Sequence, residues 1–319
     1  MSRQDELRLM AKVARMYYVQ GIRQQGITER LQVHQSTVSR LLKRAREANM
    51  VRFSVTAPPG IYSDVEDQLT SAFNLKDAVV IDASTEEDLL VRELGAAAAY
   101  YLETTLKPGI RIGISSWSRS LFAMVDALHP GDYCKGGKVI QILGGVGNIG
   151  AQQEAAMYLA QRLAASIGAA AILLQSPAVV GSTEARRVLS REPLVREAVQ
   201  NFKHLDVALV GIGSMEPSRL LASSGNLFSA EERADLSRLG AVGDICFRYF
   251  DTRGVPIKSS LMERVIGIDP GMLRAADRVI GIAGGRRKLQ AILAALRGGW
   301  LDVLISDRRT AEGLISGNN

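Results

Sequence analysis

Four short segments gather the residue types that hold an anion. They are Gly113-Ile114-Ser115-Ser116-Trp117-Ser118-Arg119-Ser120, Gly144-Gly145-Val146-Gly147-Asn148-Ile149-Gly150, Gly211-Ile212-Gly213-Ser214 and Gly281-Ile282-Ala283-Gly284-Gly285-Arg286-Arg287-Lys288. Glycines let backbone N–H groups approach a ligand closely, hydroxyls add donors, and a phosphate suits such a cradle. The same glycines can also serve only as tight strand-to-helix turns. A second set has helical spacing. Val38, Leu41, Leu42 and Ala45 recur at i, i+3, i+4 and i+7, which makes one apolar face. Ser36, Arg40 and Lys43 fall opposite, with Thr37 and Ser39 on the flanks and Gln35 and Arg44 at the ends. Hydroxyls, an amide and cations on one exposed helix face can meet base edges and DNA phosphates.

Catalytic and metal motifs are weak by comparison. The three histidines, His34, His129 and His204, are far apart and lack metal-ligand spacing with cysteine or acid. No G-x-S-x-G nucleophile elbow occurs. Gly145-Val146-Gly147-Asn148-Ile149-Gly150 satisfies G-x-G-x-x-G, but it follows a third strand, and after Glu154 the next acid is Glu184. A nicotinamide site needs an acid about 20 residues on, so no cofactor is expected. Gly131 to Lys138 nearly makes a phosphate-binding Walker loop, yet Gly137 stands where the lysine belongs.

These residues need elements to position them. Residues 24–46 read as two short helices joined by a turn, a helix-turn-helix whose second helix is the recognition helix. A helix over Asp5–Val19 precedes it, and Met50–Val55 reads as a short strand. Ala57-Pro58-Pro59-Gly60 is a strong breaker, so the domains are expected at 1–56 and 57–319. Beyond it strands and helices alternate. Strands are expected at Ala78–Ile81, Ile110–Ile114, Lys138–Leu143, Ala171–Leu174, Val207–Ile212, Ala241–Tyr249, Arg264–Ile268, Arg278–Ile282 and Asp302–Ile305. Helices are expected at Glu86–Leu106, Ser118–Leu128, Gln152–Ile167, Leu194–Phe202, Arg286–Arg297 and Asp307–Leu314. The fold class is α/β: an N-terminal, winged-helix-like helix-turn-helix domain followed by a Rossmann-like, mostly parallel sheet. Such sheets bind ligands at the carboxyl ends of their strands, where the glycine-rich segments fall.

Charge separates the two parts. Residues 1–56 hold 11 lysines and arginines against 4 acids, net +7, while the remainder holds 28 against 29, net −1, within a total of +6. The first segment suits a polyanion and the second does not. Hydrophobic residues at 47% and charged residues at 23% are those of an ordinary soluble globular chain. Cys134 and Cys246 have apolar or aromatic neighbours and read as buried free thiols. The N-terminus is not a signal peptide and no run of about 18 apolar residues exists. A cytoplasmic location is expected.

Beyond these local readings, the whole chain resembles the SorC family (SorC/DeoR-type) of sugar-responsive bacterial transcriptional regulators. The resemblance rests on STVSRLLKRARE (Ser36–Glu47), GISSWSRSL (Gly113–Leu121), QILGGVGN (Gln141–Asn148), SPAVV (Ser176–Val180) and LVGIGS (Leu209–Ser214). It continues in GAVGDICFRYFD (Gly240–Asp251) and IAGGRRKLQAILAALRGGWLDVLISD (Ile282–Asp307). It implies an effector domain similar to sugar-phosphate isomerases and CoA-transferases, a sugar or phosphorylated-sugar effector, and a homotetramer built as a dimer of dimers. By position, the loop with Ser115, Ser116, Arg119 and Ser120 resembles one side of a phosphate cradle. Lys288 matches the lysine of the family's Gly-Gly-x-x-Lys motif. Gly144, Gly145 and Asn148 look like pocket-floor positions, and Asp244 is placed like residues that meet sugar hydroxyls. Departures are Ser118 before Arg119-Ser120, where many relatives have Gly before Arg-Thr, and Gln32, where a turn glycine is usual; Thr28 and His34 also replace commoner residues.

Together these readings imply a DNA-binding regulator of a sugar or polyol catabolic operon that is not an enzyme. The rival is a sugar-phosphate isomerase or aldolase-like enzyme with an appended DNA-binding domain, for which Lys258 or Lys288 would supply a base or Schiff-base amine.

Overall fold

The computed structural model describes residues 3–48, 50–51, 58–147, 158–225 and 227–318. Its contacts divide the chain into two units, Met1–Pro58 and Pro59–Asn319. The expected strand at Met50–Val55 lies mostly outside the described residues.

In the first unit, α1 (Arg3–Ala14) runs into one π-helical turn over Arg15–Val19, followed by α2 (Gln24–Leu31) and α3 (Gln35–Glu47). Val38, Leu41, Leu42 and Ala45 of α3 are buried with Met10, Val13, Met16 and Ile27, so the apolar stripe packs as its spacing dictates. Between α2 and α3, Gln32 has φ 53°, the left-handed backbone that glycine adopts without a Cβ clash.

The second unit opens with α4 (Ser63–Phe73), β1 (Asp77–Ile81) and α5 (Glu87–Thr105). Then come β2 (Arg111–Ile114), α6 (Arg119–Ala127), β3 (Lys138–Gln141), α7 (Leu159–Ile167) and β4 (Ala170–Ile172). Next are α8 (Thr183–Leu189), α9 (Pro193–Asn201), β5 (Val207–Val210), β6 (Gly213–Ser214), α10 (Arg219–Ser223) and α11 (Ala230–Arg238). The chain ends in β7 (Gly243–Ile245), β8 (Arg248–Phe250), α12 (Pro270–Arg274), β9 (Arg278–Ile282), α13 (Leu289–Arg297), β10 (Val303–Asp307) and α14 (Arg308–Asn318). Among the described residues no helix is long and apolar enough to cross a membrane.

Seven strands pair in the order β1-β10-β9-β5-β2-β3-β4, every pairing parallel. Strands such as Val207–Val210 and Val303–Asp307 are buried along their whole length, because helices cover both faces. One core lies on each side of the sheet. Gly95 lets α5 and α6 meet closely: a Cβ there would lie 2.5 Å from the backbone carbon of Ala123. On the free side of edge strand β1, the amides of Val80 and Ala78 donate to carboxylates, of Glu66 and of Asp77 respectively, each at 2.9 Å.

Two expected strands differ. Ala241–Tyr249 is not one strand but the hairpin β7–β8, which pairs antiparallel with β6 in a separate small sheet. Cys246 and Phe247 turn the chain with φ of 52° and 57°, the left-handed pair that a two-residue hairpin requires. Arg264–Ile268 forms only isolated bridges, Val179 with Val265 and Leu143 with Gly267; its apolar residues are buried by packing rather than by a ladder. The expected helix at Gln152–Ile167 is described only over α7.

Candidate functional site

The carboxyl ends of β2, β5 and β9, the first turn of α5 and the β7–β8 hairpin enclose a cavity of about 1340 Å³. Ser115, Arg119, Ser120, Asp244 and Lys288 all line it. These residues come from segments as far apart as 115 and 288, and the parallel topology brings them to one end of the sheet.

The anion-binding character starts at α6. Ser118 is its N-cap and accepts from Leu121 N–H, while the amides of Arg119 and Ser120, which like all first-turn amides have no intrahelical partner, lie at the positive end of the helix. A Cβ at Gly211 would lie 2.3 Å from Ser118 Oγ, so this glycine leaves room for the cap. The turn after β9 contributes the other side. Gly285, at φ 90°, donates its N–H to Asp307 Oδ2 and Thr310 Oγ1, both at 2.8 Å, which fixes the turn that carries half-buried Lys288. Burial pulls the Lys288 ammonium below the usual lysine range, against the opposing charge of Asp244.

Asp244 stands on β7. Burial pushes its carboxyl up to about 6, although the Phe247 amide at 2.9 Å and the Lys288 charge both favour the carboxylate. A Cβ at Gly213 would lie 2.0 Å from Asp244 Oδ1, so only glycine there leaves space for this acid. Next to it, burial pushes the Cys246 thiol up to about 12, against its hydrogen bond with Ser115. Beneath the hairpin, buried Arg248 donates to the carbonyls of Ile268, Met262 and Gly267 and pairs with Asp269 at 2.8 Å.

Three expected residues do not line the cavity. The Ser116 hydroxyl is used internally: it donates to Leu143 O at 2.7 Å and accepts from Gln141 Nε2 at 2.8 Å. Gly144 is pressed against Pro177, where a Cβ would come within 2.3 Å of the carbonyl oxygen, and its own carbonyl accepts from Trp117 Nε1 at 2.9 Å. Gly145 abuts Gln141, with 2.1 Å from a would-be Cβ to Nε2. Leu143 is the residue of this segment that reaches the wall. Asn148 lies outside the described residues.

Three acids at the rim, Glu87, Asp88 and Glu216, carry no motif signal. Arg119 pairs with Glu87 at 2.9 Å and with Asp88; Arg287 pairs with Glu216 and lies 3.5 Å from Glu87. Glu87 and Asp88 sit in the first turn of α5, where acids read as ordinary helix-start residues. Arg233 and Tyr249 also face the cavity. Among the described residues no group of three His, Cys, Asp or Glu side chains could hold a metal ion.

On α3, Gln35, Ser36, Ser39, Arg40, Lys43 and Arg44 are exposed and Thr37 is half-buried. Arg40 has no ion-pair partner among the described residues. Lys43 lies 3.8 Å from Glu47, and Arg44 is paired with Glu6 of α1. The hydrogen bond and charge of Arg44 hold the Glu6 carboxyl below the usual range.

The family model described as "Putative sugar-binding domain" matches residues 59–316. The chain is 32% identical to the sorbitol operon regulator of Klebsiella pneumoniae, over 99% of this chain and 100% of that protein. It is 30% identical to the deoxyribonucleoside regulator of Bacillus subtilis, over 98% of each. The crystal structure of the full-length sorbitol operon regulator SorC from K. pneumoniae superposes with a TM-score of 0.71, covering 98% of this chain and 99% of that one. The sugar-binding domain of a DeoR regulator from Pseudomonas syringae is 39% identical, with a TM-score of 0.63, over 80% of this chain and 99% of that one. Helix-turn-helix spacing, parallel sheet and full-length similarity agree: the chain belongs to the SorC family of transcriptional regulators.

Proposed function

We propose that this protein controls a sugar or polyol catabolic operon in the cytoplasm, as a sensor and not an enzyme, with a phosphorylated sugar as its effector. The observation that carries this reading is one cavity with unpaired amides and a lysine on one side and a protonatable acid on the other. The amides of Arg119 and Ser120 and the Lys288 ammonium would take the phosphate. Asp244, with its carboxyl near 6, would meet sugar hydroxyls either as acceptor or as donor. In the first unit, Gln35, Ser36, Thr37, Ser39 and Arg40 would face base edges and nearby phosphates, with Lys43 and Arg44 on phosphates.

One helix-turn-helix covers too few bases for specificity, so the working species is an oligomer, a dimer of dimers. Effector binding then shifts the population of oligomer arrangements and with it the spacing of the recognition helices. The test is a thermal-shift screen of phosphorylated and free sugars and polyols. Phosphorylated compounds should raise the midpoint with concentration, and Lys288→Ala should abolish the rise. Equal stabilisation by free and phosphorylated sugars, or turnover of a sugar phosphate by the purified protein, would sink the reading.

A further inference from the structure

Two arginines of the cavity rim, Arg119 and Arg287, are already occupied. Glu87 Oε1 accepts from Arg119 Nη1 at 2.9 Å, and its Oε2 lies 3.5 Å from Arg287 Nη1. Asp88 holds Arg119 from the same helix turn, and Glu216 holds Arg287. Arg119 opens α6 beside the unpaired amides, and Arg287 immediately precedes Lys288. Glu87 therefore sits on the cations that flank both halves of the anion cradle.

The pairs do little for folding. Glu87 is 60% exposed, Arg287 66% and Arg119 30%, and ion pairs with at least one partner open to water contribute little to stability and are screened by salt. The elements they bridge are joined in other ways, α5 to α6 through the close approach at Gly95. Released, the Glu87 carboxylate remains in the first turn of α5, where the helix dipole favours it. Such a group is easily displaced, yet an anion that is to take these two arginines must displace it.

We propose that Glu87 is a built-in competitor that sets the affinity of the cavity for anions. In the empty protein it stands in for the ligand on Arg119 and Arg287. A small anion gains the arginines only by evicting a carboxylate, so its net gain is small. A ligand that also bonds the far wall, at Asp244, has binding energy left over. The competitor thus keeps common small anions from filling the cradle and reserves occupancy for ligands that use both walls. This inference rests on the phosphorylated-effector reading above.

The test is calorimetric titration of the full-length protein with inorganic phosphate, comparing wild type, Glu87→Gln and Asp88→Asn at low and high salt. Glu87→Gln should bind phosphate about three- to tenfold more tightly at low salt, from the loss of its pairs with Arg119 and Arg287. The gain should shrink at high salt, and the thermal midpoint without phosphate should stay near wild type. Asp88→Asn should act in the same direction and less strongly. Wild-type binding with no gain, or weaker binding, in Glu87→Gln would overturn the inference alone and make Glu87 a prop for Arg119. No phosphate binding by wild type or either variant would overturn the phosphorylated-effector reading with it.

Discussion

The backbone N–H of Phe247 donates to the Asp244 carboxylate at 2.9 Å, so the acid on the cavity wall also fastens the β7–β8 turn. That turn places two non-glycine residues in left-handed backbone, where Asn-Gly is the favoured pair. Burial holds it: Phe247 is buried and packs edge-on against Phe228, ring centroids 6.4 Å apart. Asp244→Asn keeps an acceptor for the amide and should leave the denaturation midpoint near or above wild type at pH 7. Asp244→Ala strands the Phe247 amide and should cost about 1–3 kcal/mol by urea denaturation.

Asp244 also makes stability depend on pH. Its carboxyl lies at about 6 in the folded protein against an ordinary 3.8. Between those values the folded chain binds more protons than the unfolded one, so stability falls as pH rises. The contribution is full below about pH 4, lost through about pH 6, and at most about 3 kcal/mol. Glu66, raised by its own burial, adds a slope of the same sign. The difference between wild type and Asp244→Asn therefore isolates this residue: urea midpoints at pH 4.5 and 7 should diverge more for wild type.

Arg248 is 6% exposed and serves three carbonyls and one carboxylate. Arg248→Met removes all four partners from under the strained hairpin. A loss of about 3–5 kcal/mol is expected, read as a lowered chemical-denaturation midpoint with stabilisation by phosphorylated sugars weakened in parallel.

The recognition helix offers a comparison between two arginines. Arg40→Ala should weaken operator binding by about 1–3 kcal/mol, relax base preference and flatten the salt dependence. Arg44→Ala should flatten the salt slope less, because Glu6 already neutralises that guanidinium. Fluorescence anisotropy of labelled operator across a salt series measures both, and equal slopes would contradict the role assigned to Glu6.

Most of the parallel sheet was legible because its strands are apolar runs with glycine at their ends, as at Val207–Gly211. The β7–β8 hairpin was not, since Cys246 and Phe247 carry no turn signature and their left-handed backbone is imposed by packing. α11 is absent from the expected helices although Ser229 and Glu232 form a capping box, a signal written three residues apart. Ser115, Arg119, Ser120, Asp244 and Lys288 line one cavity, the last two singled out by the family resemblance alone. Ser116 does not, because a sequence cannot separate a hydroxyl spent on Leu143 from one offered to a ligand. The ion pairs of Glu87 reach across 32 and 200 positions, and no local pattern records them.

Glu66 and Asp77 guard one edge of the sheet. Along the outer side of β1 the amides of Ala78 and Val80 are saturated by this chain's own carboxylates. An extended segment from a neighbouring molecule would have to strip away those bonds and bring its carbonyls up against two acids. Unpaired strand edges invite runaway association; here that flank is insulated from within. Pairing of another strand with β1 would have to replace both of these bonds, so the flank is protected against edge-to-edge association.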